Sequence, residues 1–567
     1  MNTNKLIAEN GKIFFLACLA FTLAAGAYLR FHRLDQVGLH GSDALYYTSI
    51  ALAWVRGDFI YSIADQATVF RPVLHLLFAG ALKVFGETDF AIKSFNAGVD
   101  TANILLVIGL ARAISKSWSV ALASAITYAF LPMAIHFARY ELAHAISTFF
   151  VLAAGLVFCG SWKSKSPRVR LALLGTSGAL LGLGSLTHED LLFLVLPFAA
   201  FIPVLSAQVE TGKRLSTIAI DILALCAAPF VCGLVIVSRN LDLVTSIADG
   251  AMTKDQFFIG KFARYGWDAL LASSSALFAA FFLAASLLAL LLLLRRLVTG
   301  QSSAGELSPL SYWGFLVFFG YIALTAFFFD ALFVRATLPV VPFVIITTFI
   351  WVEWAAGKLR RSSGGIAILM LAALLIPFNL NNYRPTDFSG RVFSQEWGHA
   401  RLLSKASLVT SWELFLRRNF TKKIWGAIYH DYRDRIGPES KLLIAPSIVY
   451  PFPGRRALQS EIYFGDNAVY LFDHDEPFVA LINKQKIKYV LITSMNIRPS
   501  SSELTPGRTY LYNGRWSPEH PIVLGASFRF PPGGYTLEKE LHALRSILRR
   551  MGGRVLQSSP LAIVVAL

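Results

Sequence analysis

Charged residues are scarce in this 567-residue chain: Asp, Glu, Lys and Arg make up 15% of it, where a soluble globular protein carries about a quarter. Cysteine is scarcer still. The four cysteines, Cys18, Cys159, Cys226 and Cys232, all lie in apolar runs and none belongs to a CxxC pair, which excludes a disulfide framework and a zinc knuckle. Buried structural thiols remain. A phosphate loop is excluded as well, because no Lys-Ser/Thr follows Gly175, Gly178, Gly182 and Gly184; glycines so spaced on a helix point to close helix packing. Neither internal repeats nor low-complexity tracts occur. What is abundant is apolar: 55% hydrophobic residues with 45 Phe, 40 Gly and 23 Pro, and a mean hydropathy of +0.55. A disordered chain would be far less apolar, and a coiled coil would not hold so much Gly and Pro. The composition is that of a polytopic membrane protein.

A bilayer core about 30 Å thick needs roughly 20 apolar residues per helix. Eleven such runs follow one another: Ile13–Leu29, Phe90–Ala111, Val120–Ile135, Ala143–Gly160, Leu171–Leu186, Leu191–Ser206, Thr217–Val237, Ala269–Leu294, Leu310–Phe329, Ala336–Trp354 and Gly365–Leu380. Ala25-Gly26-Ala27 also resembles a signal-peptidase site, so a cleaved signal is the alternative for the first run. Charge tests the count. Alternate connections hold 15 basic residues, from Lys5 and Lys12 to Lys358, Arg360 and Arg361, against only Glu9, Glu210 and Glu306. Basic residues collect on the cytoplasmic side, which places the N-terminus in the cytoplasm and everything after about residue 381 outside.

Two regions depart from simple spans. Residues 31–89 form a long first outer loop in which Ser42–Val55 puts Tyr47, Ile50, Ala51 and Trp54 on one helical stripe, the pattern of a helix lying in the interface. Pro72–Phe85 is apolar but short, and reads as interfacial or re-entrant. The second region, residues 384–567, turns soluble in composition. Strand Lys441–Ala445, helix Glu476–Lys486, strand Tyr489–Thr493, helix Leu537–Met551, a stop at Gly552-Gly553 and strands near Val555 and Ile563 predict a small extracytoplasmic α/β domain. The membrane domain is then residues 1–383.

Ionisable residues at membrane depth are costly and mark function by default. Here they gather at the outer helix ends: Asp43, Arg71, Lys93, the Arg139/Glu141/His144 group, His188-Glu189-Asp190, and Asp330 with Arg335. A carrier tends to put its polar residues near the midplane. A polar cleft at the outer surface fits an enzyme better, with a transporter or flippase as the rival class. Each residue also has a plainer role open to it. Ser42-Asp43 can cap a helix, and Arg71 can snorkel to headgroups. His144 can make an interhelical hydrogen bond, and the 188–190 turn can simply be solvated. Pairing of Arg139 with Glu141, and packing of helices by Asp100, are preferred to catalysis.

At these residues the chain resembles a known family. Gly41-Ser42-Asp43-Ala44-Leu45-Tyr46-Tyr47, then Arg71-Pro72-Val73-Leu74, then Leu82–Lys93 leading into the second span, look like the first outer loop of GT-C glycosyltransferases. The branch is that of the protein O-mannosyltransferases and lipid A aminoarabinose transferases. Phe137-Ala138-Arg139, Gly182–Thr187 and Arg335–Pro342 match in the same order, so the resemblance covers about residues 13–380; the tail matches only in kind. It implies transfer of a sugar from a polyprenyl-phosphate-linked donor to an acceptor hydroxyl on the outer face of a bacterial inner membrane. By position Asp43 corresponds to the family's catalytic acid residue, which as carboxylate takes the acceptor proton, and the sugar inverts. Arg71 stands where the family binds the donor phosphate; Arg335 is a second phosphate candidate and Lys93 a third. Relatives often carry Asp-Glu where this chain has Asp43-Ala44, and Asp where it has His144. Histidine favours softer metals than magnesium, so metal dependence stays open; His144, His188 and Glu189 are candidates for a divalent metal or the acceptor. A polymerase or ligase using a lipid diphosphate is a further alternative. A lipid, glycan or protein acceptor is compatible with the sequence.

The net charge of +17 divides accordingly. Most of it is the cytoplasmic excess that sets orientation, and the tail adds 25 basic against 15 acidic residues. Nucleic acid is therefore not an expected partner, and an anionic lipid surface is.

Overall fold

The computed structural model describes residues 3–32, 34, 41–55, 57, 71–205, 214–239, 258–273, 276–299, 308–328, 334–359, 364–382, 441–447, 468–470, 478–493, 509–510, 528–529, 551–558 and 562–567. The helical part opens with α1 (Thr3–Phe31), α2 (Gly41–Val55), α3 (Pro72–Phe85), α4 (Asp89–Ser115) and α5 (Trp118–Ala129). It continues with α6 (Pro132–Ala138), α7 (His144–Lys163), α8 (Pro167–Ser185), a 3-10 helix at Glu189–Leu194, α9 (Val195–Leu205) and α10 (Arg214–Arg239). The remaining helices are α11 (Phe258–Ser273), α12 (Ala276–Thr299), α13 (Leu310–Phe328), a 3-10 turn at Val334–Thr337, α14 (Val341–Leu359) and α15 (Gly364–Asn382).

Local signals set many of these boundaries. Thr88 and Ser117 accept the amides of Ala91 and Val120 as N-caps of α4 and α5, and proline opens α3, α6 and α8, where its missing N–H costs nothing. Four expected spans differ. The run from Leu191 starts within the 3-10 helix Glu189–Leu194, and its α-helix begins only at Val195. The run 120–135 is two helices: the first ends at Ala129, and Pro132, which lacks the amide that a continuing helix would use, opens the second. The run 269–294 is also two. In α11, Lys261, Arg264 and Asp268 recur every three to four positions while Tyr265, Ala269 and Leu270 are buried, so it is amphipathic and precedes the apolar α12. The run beginning at Ala336 starts as a 3-10 turn, and its helix begins at Val341.

Among the described residues, five helices are long and apolar enough to cross a membrane on their own: 90–115, 144–163, 215–238, 310–328 and 341–358. The chain is a multi-pass membrane protein. On α10, Leu215, Leu223, Phe230 and Leu234 stay exposed, as expected of a lipid-facing stripe. The opposite face meets α8 closely: a Cβ at Gly178 would collide with the Leu225 carbonyl, and one at Gly182 would come within 3.0 Å of Cys232 Sγ. Van der Waals packing drives helix association in lipid, and small residues permit it. The bundle interior is filled by aromatic rings around the buried Trp313, with Phe158 stacked on it at 5.0 Å and Phe198 and Phe343 edge-on at 4.8 and 5.2 Å.

One polar network is sealed inside. Arg30 Nε donates to Asp100 Oδ2 at 2.7 Å, with both side chains fully buried. Tyr128 Oη donates to Asp100 Oδ1 at 2.6 Å, and Asn103 bridges Asp100 to the Ala145 carbonyl. Arg30 Nη1 also reaches the carbonyls of Gly26 and Ala129. Asp100 therefore ties α1, α4, α5 and α7 together, the helix-orienting role expected for it.

Beyond the bundle, strands β1 (Lys441–Ser447), β2 (Ala468–Tyr470), β3 (Ile487–Thr493), β6 (Arg554–Ser558) and β7 (Ala562–Ala566) form one sheet in the order β2-β1-β3-β7-β6. β1 runs parallel to β2 and β3, while β7 is antiparallel to β3 and β6. Helix α16 (Phe478–Gln485) precedes β3, and β4 (Thr509–Tyr510) pairs with β5 (Phe528–Arg529). The expected strands at 441, 489, 555 and 563 and the helix at 476 are present; the expected helix Leu537–Met551 lies outside the described residues but for its last position.

Removing one member of a buried pair leaves a bare charge and costs about 3–5 kcal/mol. Asp100→Ala is therefore expected to lower the detergent melting temperature sharply. The double variant Arg30→Leu/Asp100→Leu should recover most of the loss, and a double variant as unstable as the single one would contradict the pairing.

Candidate functional site

Arg71 precedes α3, and Pro72 in the first helical position keeps it out of the helix, with φ −123°. Its side chain does not cap α3. Instead, Arg71 Nε and Nη2 donate to Glu189 Oε2 and Oε1, both at 2.9 Å. Nη1 donates to Tyr47 Oη, and the guanidinium carbon lies 5.2 Å from the Tyr47 ring centre. One cation thus joins α2, α3 and the start of the 3-10 helix after α8, across 118 residues of chain. The pair is only partly covered, at 11% exposure for Arg71 and 18% for Glu189.

Burial would raise the Glu189 pKa, but the Arg71 guanidinium, with His188 behind it, outweighs burial and holds the carboxyl down at about 2. His75, one turn along α3, is pushed down to about 3 by burial first and by the Arg71 cation second, and so is neutral. Its ring lies 5.9 Å from that of Tyr47 and 5.7 Å from that of Trp54.

The 188–190 turn carries the second half of the cluster. His188 has extended backbone at φ −158°, and its Nδ1 is 3.4 Å from Asp190 Oδ2. His144, at the first position of α7, has its ring 5.4 Å from the His188 ring. Ser147 and Thr187 share a hydrogen bond of 3.0 Å, which fixes α7 against the turn.

The structure therefore brings together Arg71, His144, His188 and Glu189. Lys93 is placed differently: it is fully buried, with its ammonium 3.5 Å from Glu141. Arg139, rather than serving chemistry, donates to the carbonyls of Leu29, Arg30 and His32 and caps the end of α1. Position 43 lies one turn before Tyr47 on α2; the side chains of Asp43 and Arg335 lie outside the described residues. Sequence reasoning missed Tyr47 and His75 as members of the cluster. The four-residue step from Asp43 to Tyr47 and the same step from Arg71 to His75 were the available signals.

The donor atoms of His188, Glu189 and Asp190 lie within 4.8 Å of one another, which is metal-ligand spacing. Both Glu189 oxygens already accept from Arg71, so a cation bound there would share the carboxylate with a guanidinium.

The helix arrangement is that of the GT-C membrane fold. The likeness that carries this is to ArnT from Cupriavidus metallidurans in the apo state: 12% identity, TM-score 0.51, covering 99% of this chain and 98% of that one. The same protein bound to undecaprenyl phosphate gives 13% identity and a TM-score of 0.46 over 97% of each chain. The Saccharomyces cerevisiae protein O-mannosyltransferase Pmt1-Pmt2 complex bound to the sugar donor gives 19% identity and 0.32, covering 40% of this chain. The chain spans about a third of the length of that yeast protein, 34%. No family model matches the sequence, and no curated protein matches it.

Two groups lose protons in the folded state relative to the unfolded one, so acid works against the site. A His depressed from 6.5 to about 3 takes up its proton only in the unfolded chain between those values, and stability falls as pH drops through 6.5. From pH 7 to pH 5 the loss is about 2 kcal/mol. Glu189, depressed from 4.5, adds its own loss only below pH 4.5. Thermal unfolding at pH 7 and pH 5 should show this loss in the wild type but not in His75→Phe; equal losses in both would refute it.

Proposed function

We infer that the protein is a membrane glycosyltransferase. It transfers a sugar from a polyprenyl-phosphate-linked donor to an acceptor hydroxyl on the extracytoplasmic face of a bacterial inner membrane. The observation that carries the reading is Arg71: a partly exposed guanidinium, outside any helix, in a cluster of ionisable groups at a bundle end, within a fold shared with ArnT over nearly the whole chain. The charge pattern supports eleven crossings, a cytoplasmic N-terminus and an extracytoplasmic α/β domain from residue 384 onward.

In this reading Asp43 is the general base. The acceptor oxygen attacks the anomeric carbon as its proton passes to the Asp43 carboxylate. The bond from that carbon to the phosphate oxygen breaks, its electron pair stays on the phosphate, and the sugar inverts. Arg71, with Arg335, binds the phosphate and stabilises the charge gathering on the leaving oxygen. Lys93, committed to Glu141 inside the bundle, holds α4 in place beside the site.

Asp43→Asn should cut transfer by about 10²–10⁴-fold, the usual contribution of a positioned base, while insertion and melting temperature stay unchanged; retained turnover with purified lipid-linked donor would remove the base assignment. Arg71→Ala should raise the KM for donor far more than that for acceptor. An unchanged donor KM would count against the phosphate role.

A further inference from the structure

Resting on that reading of Arg71, we propose that Glu189 is the resting occupant of the phosphate site, a positioning carboxylate that holds Arg71 between turnovers and displaces the spent lipid phosphate from it. The geometry is that of the ligand it would stand in for. Two parallel N–H···O bonds of 2.9 Å to the Nε/Nη2 edge of a guanidinium are the fork that a phosphate also makes with arginine. Carboxylate and phosphate oxygens are alternative acceptors for the same two donors.

Charge decides that they compete. The Arg71–Glu189 pair is neutral as it stands, and at 11% and 18% exposure it is poorly hydrated. A phosphate added beside the intact pair would bring a second anion to the guanidinium that Glu189 already occupies, and like charges so placed are unfavourable. The nearby Lys93 does not relieve this, because it faces Glu141 at 3.5 Å with both side chains fully buried. The low pKa of Glu189 points the same way, since its carboxyl stays anionic at neutral pH and does not yield by protonation. Glu189 must instead let go of Arg71. It sits at the first position of a six-residue 3-10 helix, a short element with weaker hydrogen bonds than an α-helix.

Competition matters most after transfer. The donor is a phosphodiester with one negative charge. When the bond to the sugar breaks, the electron pair stays on oxygen and the lipid becomes a phosphomonoester carrying close to two charges at neutral pH. The product therefore binds a bare arginine more tightly than the donor does. A carboxylate in reach of the same guanidinium opposes that trap.

The test uses the full chain in lipid nanodiscs with undecaprenyl monophosphate as probe. Glu189→Gln removes the charge, and Glu189→Asp keeps it while shortening its reach. Each is expected to bind the probe at least ten-fold more tightly than the wild type, and turnover should show a lower donor KM with a lower kcat as release slows. A role in holding the fold alone would not tighten binding. Unchanged or weaker binding in the folded variants overturns the proposal. Arg71→Ala separates the two claims: if it binds the probe as well as the wild type, the phosphate reading itself fails. If it loses binding while neither Glu189 variant gains, only the role of Glu189 fails.

Discussion

A charge inside a helix bundle in lipid keeps its place only beside its complement, and this chain is organised around that constraint. Arg30 and Asp100 are fully buried and 2.7 Å apart, and the partners that complete Asp100 come from α4 itself and α5, with Asn103 passing the link to α7. Taking two ions out of water costs several kcal/mol each, which their attraction offsets only when the remaining hydrogen bonds are also made. Here they are largely made, and the result is a geometrically unique junction. Apolar side chains alone pack in many registers, whereas a guanidinium, a carboxylate, a phenol and an amide fit together in few.

The same rule relaxes towards the candidate site. Lys93 and Glu141 are sealed but stand 3.5 Å apart, and Arg71 with Glu189 is in closer contact yet keeps a small exposure. The order matters physically. A sealed pair resists exchange, since changing its partner would expose a bare charge to low dielectric. A pair with partial access to water can exchange one anion for another at far lower cost. Exposure, more than proximity, separates the arginine that holds the bundle from the one proposed to take a ligand.

Much of the helical layout was legible in the sequence because hydrophobic length reports directly on lipid. The helices at 42–55 and 72–85 were also readable, since a stripe of Tyr47, Ile50, Ala51 and Trp54 and a proline start are local signals. The breaks at Pro132 and before Ala276 were missed, because apolar composition runs across both while the turn chemistry does not. The site was readable only as a set of residues at helix ends. Which of them meet depends on helix rotation, and no local pattern encodes it: Arg139 was expected beside Glu141 yet serves the end of α1, and Glu141 faces Lys93. The Arg71–Glu189 pair joins segments 118 residues apart, a separation that sequence periodicity cannot reach.

The interior of the bundle bears on the choice between an enzyme and a carrier. A flippase needs a polar route from one face to the other. Among the described residues, the bundle interior holds Trp313 with Phe158, Phe198 and Phe343 around it, all fully buried. At the end opposite the candidate site, Arg170 pairs with Asp221 between α8 and α10, and Glu353 accepts from Ser117. These groups hold neighbouring helices together and do not line up with the Arg71 cluster. Moving a charged headgroup past stacked aromatic rings would require the core itself to open, and cores packed this tightly resist such opening. In the proposed reading, binding a lipid phosphate at one end and reacting it there requires only that Arg71 change partners, which is the smaller rearrangement.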